Sequence, residues 1–327
     1  MNKANVYQEP GLVFGLEQRL SHPRDGVTLF GPFDSKGIEK PRQITYALFG
    51  TPDGIQSFRA FSAALNRPIL TEERYDEVLW SHFPGFEEAF HAVWSAEPAW
   101  QDEIKADKLS EATSISELHQ RVYSVVNLYL DAMRIAKQRD ETFHVFVCIV
   151  PDSVYGSCRV LATGQKKRPR ERGLREAMGD FFESFDPRQY GFSLDFRRQI
   201  KARVMELEVP IQIVRESTLR LHARESMAER ELTPLSDRAW NLATALYYKS
   251  GGKPWKLGTA RDGVCYVGVA FKDTEDRDNN ACSAAQMFLD DGDGVVFLGD
   301  YGRWYSERKG EYHLSRPAAK NLLAGVL

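Results

Sequence analysis

Thr142–Val150 reads TFHVFVCIV, and Pro151-Asp-Ser-Val-Tyr155 follows it directly. A continuous apolar run of that length, rich in β-branched and aromatic residues, is the pattern of a strand buried on both faces of a parallel sheet. The residues after it predict a loop at the carboxyl end of a strand, where open α/β sheets usually hold ligands. Tyr155 in that loop offers a ring on which a base could stack. His144 inside the run reads as a satisfied core histidine.

Similar signals lie on either side. Gln43–Gly50 (QITYALFG) reads as a second buried strand. Gly-Thr-Pro-Asp-Gly at 50–54 turns it into a helix whose apolar residues Ile55, Phe58, Phe61 and Leu65 recur at helical spacing, with Asp53 or Thr51 as its cap. Ser114-Ile-Ser-Glu117 has the form of a capping box opening a long helix, with a stripe of Leu118, Val122, Val125, Tyr129, Met133 and Ala136. Leu194–Leu207 predicts a helix carrying Arg197, Arg198, Lys201 and Arg203, and Val209–Val214 (VPIQIV) the next strand. Strands alternating with helices define a Rossmann-like α/β domain over residues 41–230.

Two features of this domain are chemically odd. Arg197 and Lys201 are four residues apart on one helical face, where like charges repel unless an anion lies between them. Gln212 sits in a β-branched run, where an amide needs a partner. Helix cations and a strand amide around one anion would account for both. Gln165–Arg175 (QKKRPRERGLR) is strongly basic, but Pro169 and Gly173 favour a solvated loop.

Residues 1–40 carry many breakers and predict an extended segment, with short pieces at Gly11–Gly15 and Gly26–Phe30 joined by turns. From residue 231 to 327 the pattern changes. A helix over Thr233–Ser250 stops at Gly251-Gly252, and Lys249 in its last turn complements the helix dipole. Apolar strands follow at Gly263–Phe271, Ser283–Leu289 and Gly294–Gly299, then a helix starting near Pro317. A three-strand meander plus a helix is the first half of an RNase H-like domain. Three strands and one helix cannot cover both faces of such a sheet. With Leu327 falling inside that apolar helix, the expected reading is a truncated chain.

Composition sets the outer bounds. The chain has 327 residues, 43% hydrophobic and 27% charged, with a net charge of −3, so it is an ordinary globular chain and not a generic polyanion binder. Any contact with nucleic acid needs a local basic site. The longest apolar run, Val145–Pro151, is far short of the ~20 residues that span a bilayer, and the first residues lack a signal core. Cys148, Cys158, Cys265 and Cys282 show neither CxxC pairing nor zinc spacing, which predicts reduced, buried thiols in a cytoplasmic protein.

The order of motifs resembles that of the short prokaryotic Argonautes. Glu9-Pro-Gly-Leu-Val-Phe-Gly15, His22-Pro-Arg-Asp-Gly26 and Leu29-Phe-Gly-Pro-Phe33 are similar to their N-terminus, and Phe83-Pro-Gly-Phe86 with Phe90 to their early MID segment. Phe196-Arg-Arg-Gln-Ile-Lys201 with Pro210-Ile-Gln212 resembles the MID signature that clasps the guide 5′ end. Tyr248-Lys249-Ser-Gly-Gly-Lys-Pro-Trp255 resembles the PIWI helix that adds a lysine to that pocket.

The resemblance implies a MID domain at 41–230 and a partial PIWI domain at 231–327. Arg197, Lys201, Gln212 and Lys249 would bind the guide 5′-phosphate, with a divalent ion such as Mg2+ assisting and Tyr155 touching the guide base. Arg197 stands where many relatives carry an aromatic residue. The first metal-binding carboxylate of slicing relatives falls at Val267-Gly-Val-Ala270, so Ala270 replaces it and a non-cleaving subunit is expected, with no catalytic residue or metal of its own. The implied partners are a guide RNA, a single-stranded DNA target, and an APAZ-domain protein fused to a TIR, sirtuin-like or nuclease effector, acting in prokaryotic immunity and without a membrane. Two rival readings come from other classes. One is an active RNase H-like nuclease recruiting Asp262 or Asp273 to metal. The other is a Rossmann-like protein holding a small phosphorylated ligand at Thr51–Gly54.

Overall fold

The computed structural model describes residues 9–37, 41–76, 79–159, 191–221, 232–273, 281–289, 292–302, 304–306 and 311–326. The basic run at 165–175 lies outside them. Compactness divides the chain into two units, Met1–Lys36 with Trp255–Leu327, and Gly37–Pro254.

The first unit opens with strands β1 (Leu12–Val13) and β2 (Arg19–Leu20) and helix α1 (Pro23–Phe30). The extended piece expected at Gly26–Phe30 is therefore a helix. His22 caps it by accepting from the Asp25 amide, and Pro23 occupies the first position, where its missing N–H costs nothing. Gly26 is not a breaker here. A Cβ on it would lie 2.1 Å from the Phe14 ring, so glycine lets that ring pack against the helix.

In the second unit, β3 (Gln43–Ile44) pairs with β5 (Val93–Trp94), and β4 (Tyr46–Gly50) runs into α2 (Pro52–Leu65). Thr51 is the cap of α2: its hydroxyl accepts from the Gly54 amide at 3.2 Å. Then come α3 (Phe86–Phe90), β6 (Trp100–Glu103), α4 (Ala106–Ser114), α5 (Leu118–Lys137), β7 (Val145–Val150), α6 (Asp152–Ser157), α7 (Phe196–Val204), β8 (Ile211–Arg215) and α8 (Leu235–Lys249). The main sheet is wholly parallel in the order β6-β4-β7-β8. Phe49, Phe146, Cys148 and Val150 share one core cluster with the apolar stripe of α5 and with Phe196 and Ile200 of α7. On α2, Phe58 meets the ring of Tyr46 edge-on at 5.8 Å.

Three expectations change in this unit. The capping box does not form, because Ser114 ends α4; Glu117 alone caps α5, its carboxylate accepting from the amides of His119 and Gln120. His144 is satisfied, accepting from the Thr45 amide at 3.0 Å, but it is exposed just before β7 and not in the core. The loop expected at Pro151–Tyr155 is the start of α6.

Helix α8, expected to open the following domain, belongs to this compact unit. Aromatic rings hold it there: Phe83 meets Trp240 edge-on at 5.1 Å, and Phe90 stacks on Tyr247 at 4.8 Å. Trp240 also donates its indole N–H to the His82 carbonyl at 2.8 Å. Gly251 takes φ +92°, the left-handed conformation that ends the helix without a Cβ penalty.

The first unit resumes with β9 (Lys256–Leu257), which pairs with β1. Strands β10 (Tyr266–Asp273), β11 (Ala281–Phe288) and β12 (Gly294–Gly302) form an antiparallel meander, β13 (Tyr305–Ser306) and β14 (Glu311–Tyr312) a short hairpin, and α9 (Arg316–Val326) follows. Leu322 of α9 is buried with Ala285 against Val267, Met287 and Phe297. The other face of the meander, with Tyr266, Phe288, Val296 and Leu298, is exposed. Cys148 and Cys158 are buried free thiols; Cys265 is a free thiol too but only partly buried, which departs from expectation. The side chain of Cys282 lies outside the described residues. The architecture is α/β, a Rossmann-like parallel sheet followed by a three-strand meander and a helix. No helix among the described residues is long and apolar enough to cross a membrane.

Candidate functional site

The site is built by α7, β8 and α8, all within the unit Gly37–Pro254. Asp195 starts α7 by accepting from the Arg198 amide at 3.0 Å. The buried Phe196, Ile200 and Val204 turn one face of the helix to the core and leave Arg197 and Lys201 on the exposed side. Arg203, a third cation of the helix, is used structurally. Its guanidinium lies over the rings of Tyr123 and Phe192 and donates to Asn127 Oδ1 at 2.6 Å.

Strand β8 is an edge strand, so carbonyls on its free side need partners from elsewhere. Lys249, in the last turn of α8, supplies one. Its Nζ donates to Ile211 O at 2.5 Å and to Gln212 Oε1 at 2.7 Å. Gln212 Nε2 donates to Ile213 O at 3.2 Å. The amide that looked misplaced in sequence has thus found its partner in the lysine. Because its oxygen is committed to an ammonium, Gln212 has only N–H left to offer a ligand.

The electrostatics are one-sided. Burial, then Lys201, then Arg197 bring the Lys249 ammonium down from its ordinary value to about 8. Lys201 is likewise lowered, by partial desolvation and by Arg197. Among the described residues no carboxylate forms an ion pair with Arg197, Lys201 or Lys249. Three cations and an amide donor lie close enough to act on one another, and among the described residues no carboxylate is paired with the cations, an arrangement suited to a polyvalent anion.

Tyr155 borders the same region. A cavity of about 270 Å³ has Tyr155, Arg159, Asp195, Arg197, Ile213 and Arg215 in its lining, so Tyr155 and Arg197 share its wall with one carboxylate. The Tyr155 ring carries two guanidinium neighbours, Arg159 at 4.4 Å and Arg215 at 4.2 Å from its centre. Arg215 is ion-paired with Asp152, which also accepts from Ser217 at 2.9 Å, and Arg159 lies 4.0 Å from Asp195. Sequence reasoning missed Arg159 and Arg215. Arg215 carried a signal, standing at the carboxyl end of an apolar strand beside the expected ligand crevice.

The Thr51–Gly54 turn is different in kind. The Thr51 hydroxyl is spent on its own helix cap, and Asp53 stands in the first turn of α2. Burial, then Asp152 and Asp53, push the Glu216 carboxyl up. Arg220 acts against that shift and Arg215 pairs with Asp152, which leaves Asp53 and Glu216 as the carboxylates beside the turn, an unfavourable setting for phosphate.

A divalent ion needs hard oxygen ligands. At the cluster, Gln212 Oε1 and Ile211 O both accept from Lys249, and the nearest carboxylate on α7, Asp195, is committed to the Arg198 amide as the helix cap. They do not fit Mg2+ by themselves, and the contacts derived below use none. In the other unit, Ala270 lies in mid-strand opposite Ala284, and its methyl cannot ligate a metal. Asp262 is exposed and ion-paired with Lys256 at 3.1 Å, while the side chain of Asp273 lies outside the described residues.

No protein-family model matches the chain, and no curated protein matches it. Among solved structures it is similar to Drosophila Piwi, with a TM-score of 0.45 and 13% identity, covering 98% of this chain and 31% of that one. It is also similar to the Marinitoga piezophila Argonaute solved with a 5′-OH guide RNA, with a TM-score of 0.38 and 9% identity, covering 90% of this chain and 34% of that one. The chain spans about a third of the length of these solved structures.

Proposed function

We propose that the chain is a guide-binding subunit of the short prokaryotic Argonaute type, anchoring a guide strand by its 5′-phosphate at Arg197, Lys201, Gln212 and Lys249. The observation that carries this reading is the cationic cluster itself. Residues chosen from separate motifs converge on one region with no carboxylate partner among the described residues. A terminal phosphate there accepts charge-assisted hydrogen bonds from three cations and from the free N–H of Gln212. The neighbouring cavity takes the terminal base beside Tyr155, with Arg159 and Arg215 in its wall.

On this reading the protein grips backbone and 5′ end, and base pairing supplies sequence discrimination. The guide is RNA and the target single-stranded DNA. With Ala270 in place of the first carboxylate, the subunit does not cleave. Any enzymatic activity belongs to a cytoplasmic partner with an APAZ domain and a TIR, sirtuin-like or nuclease effector, in defence against invading DNA.

The test is to purify the protein with the product of its neighbouring gene, extract bound nucleic acid and end-label it after RNase or DNase treatment. A discrete population of short, 5′-phosphorylated RNAs is the expected result. Recovery of nothing longer than a mononucleotide overturns the reading.

A further inference from the structure

Two charged side chains are buried among the described residues, Asp237 at 5% and Arg238 at 6% exposure, both near the start of α8. Burial lowers the Arg238 pKa, against the pull of Tyr75, Asp237 and Glu72. An apolar side chain of similar volume avoids that cost, so the guanidinium is explained by what its donors hold. Its Nε donates to Thr233 O at 3.0 Å, and its Nη1 to Thr218 O at 2.7 Å and to Arg220 O at 2.5 Å. Thr218 and Arg220 lie just after β8, and Thr233 just before α8. The planar fork therefore ties the exit of the strand to the entry of the helix. Lys249 ties the same two elements at their other ends, through Ile211 O. The two ties lie about 16 Å apart along the helix, at ~1.5 Å per residue.

The segment held by Arg238 reaches the site. Thr218 belongs to the 3-10 turn Glu216–Leu219 and lines the cavity of about 270 Å³ that has Tyr155 and Arg215 in its wall. In the same turn the Ser217 hydroxyl donates to Asp152 Oδ1 at 2.9 Å. Asp152 is ion-paired with Arg215, whose guanidinium lies 4.2 Å from the centre of the Tyr155 ring. Arg238 itself does not line this cavity. We propose that Arg238 is a positioning residue for the terminal base: its fork fixes the turn Glu216–Leu219 and, through Ser217 and Asp152, sets the place of Arg215 against Tyr155. The proposal rests on the anchoring function above and deepens it. Lys249 is held separately, by its own bonds to Ile211 and Gln212, and α8 keeps its ring contacts with Phe83 and Phe90. Loss of the fork therefore loosens the base end of the site and leaves the phosphate end in place.

The experiment measures affinity of the full chain for three versions of one RNA oligonucleotide: 5′-phosphorylated, 5′-phosphorylated with an abasic first position, and 5′-hydroxyl. A base stacked on an aromatic ring contributes roughly 5- to 150-fold in affinity, the preference expected of the unmodified protein for the intact over the abasic strand. In Arg238→Met that preference should vanish while the preference for the phosphorylated over the hydroxyl strand stays. A purely structural arginine would lower affinity for all three strands together. Loss of both preferences, or of neither, therefore overturns the proposal. If Arg238→Met does not fold, hydrogen exchange on the unmodified protein decides. By reciprocity, the intact strand should slow exchange at the amides of Glu216–Leu219 and of 235–238 more than the abasic strand does. Equal exchange with the two strands overturns the proposal and leaves the anchoring function standing. Equal affinity of the unmodified protein for the intact and abasic strands removes the base from the cavity, and the proposal with it. Equal affinity for the phosphorylated and hydroxyl strands overturns the anchoring function itself.

Discussion

Two places in the unit Gly37–Pro254 could in principle receive an anion, and they have opposite electrostatics. The turn from β4 into α2 has the geometry usually credited with phosphate binding, a strand followed by a glycine-bearing turn and a 14-residue helix. Its cap hydroxyl is already used, and Asp152 and Asp53 both act on the Glu216 carboxyl there. The cluster on α7, β8 and α8 has no glycine loop, yet Arg197, in the first turn of α7, Lys201 and Lys249 lie there with no carboxylate among the described residues paired to them. Backbone geometry offers a binding site only when side-chain charge agrees with it. In this unit charge decides, and it favours the place with the less familiar backbone.

The largest expected effect tests whether the aromatic packing of α8 is what creates that asymmetry. Trp240 is almost fully buried, packs on Phe83 and donates to His82. Trp240→Ala should cost about 3–5 kcal/mol of stability, read from urea denaturation. Anion binding should be lost with it, because Lys249 then loses its fixed place beside β8. A variant that keeps full affinity for a 5′-phosphorylated strand would show that α8 does not position the site.

Lys201→Ala comes next. A hydrogen bond to a charged group contributes about 1.5–3 kcal/mol, so affinity for the phosphorylated strand should fall about 10- to 100-fold with little change in stability. Asp53→Asn, at the other place, should leave that affinity unchanged. If the two substitutions exchange effects, the ligand binds at Thr51–Gly54 and the comparison is inverted.

Much of this contrast was legible in the sequence, and the illegible part has a physical reason. The apolar runs gave the parallel strands because burial on both faces leaves no polar positions, as in Val145–Val150, where all six residues are buried. Arg197, Lys201 and Gln212 stood out because each is costly without a partner. Contacts between distant residues were hidden. Nothing in the spacing of Gly26 announces that Phe14 lies against it, so a helix looked like a broken strand. Phe83, Phe90, Trp240 and Tyr247 are all buried, but their pairing, which assigns α8 to its unit, is three-dimensional. Arg159 and Arg215 both lie against the Tyr155 ring although they are 56 positions apart in a sequence whose local patterns do not link them.

The smallest predicted effect concerns the acidic place alone and fixes the sign of its charge. The Glu216 carboxyl is raised by burial, Asp152 and Asp53, so the folded protein binds its proton more tightly than the unfolded chain does. Between the unfolded value and the raised folded one the native state therefore carries the extra proton, and stability falls as pH rises through that window. Above it the ionised carboxylate is a net liability. Glu216→Gln should remove this dependence, raising stability at pH 7 by about 0.5 kcal/mol or less, since solvent screens a group that is only partly buried. Urea denaturation at pH 5 and pH 7 measures it: the difference between the two should shrink in the variant. A larger dependence in Glu216→Gln would mean that the carboxylate is held by a favourable partner. The carboxylates around α2 would then not repel an anion, and the opposition between the two places would rest on the cationic cluster alone.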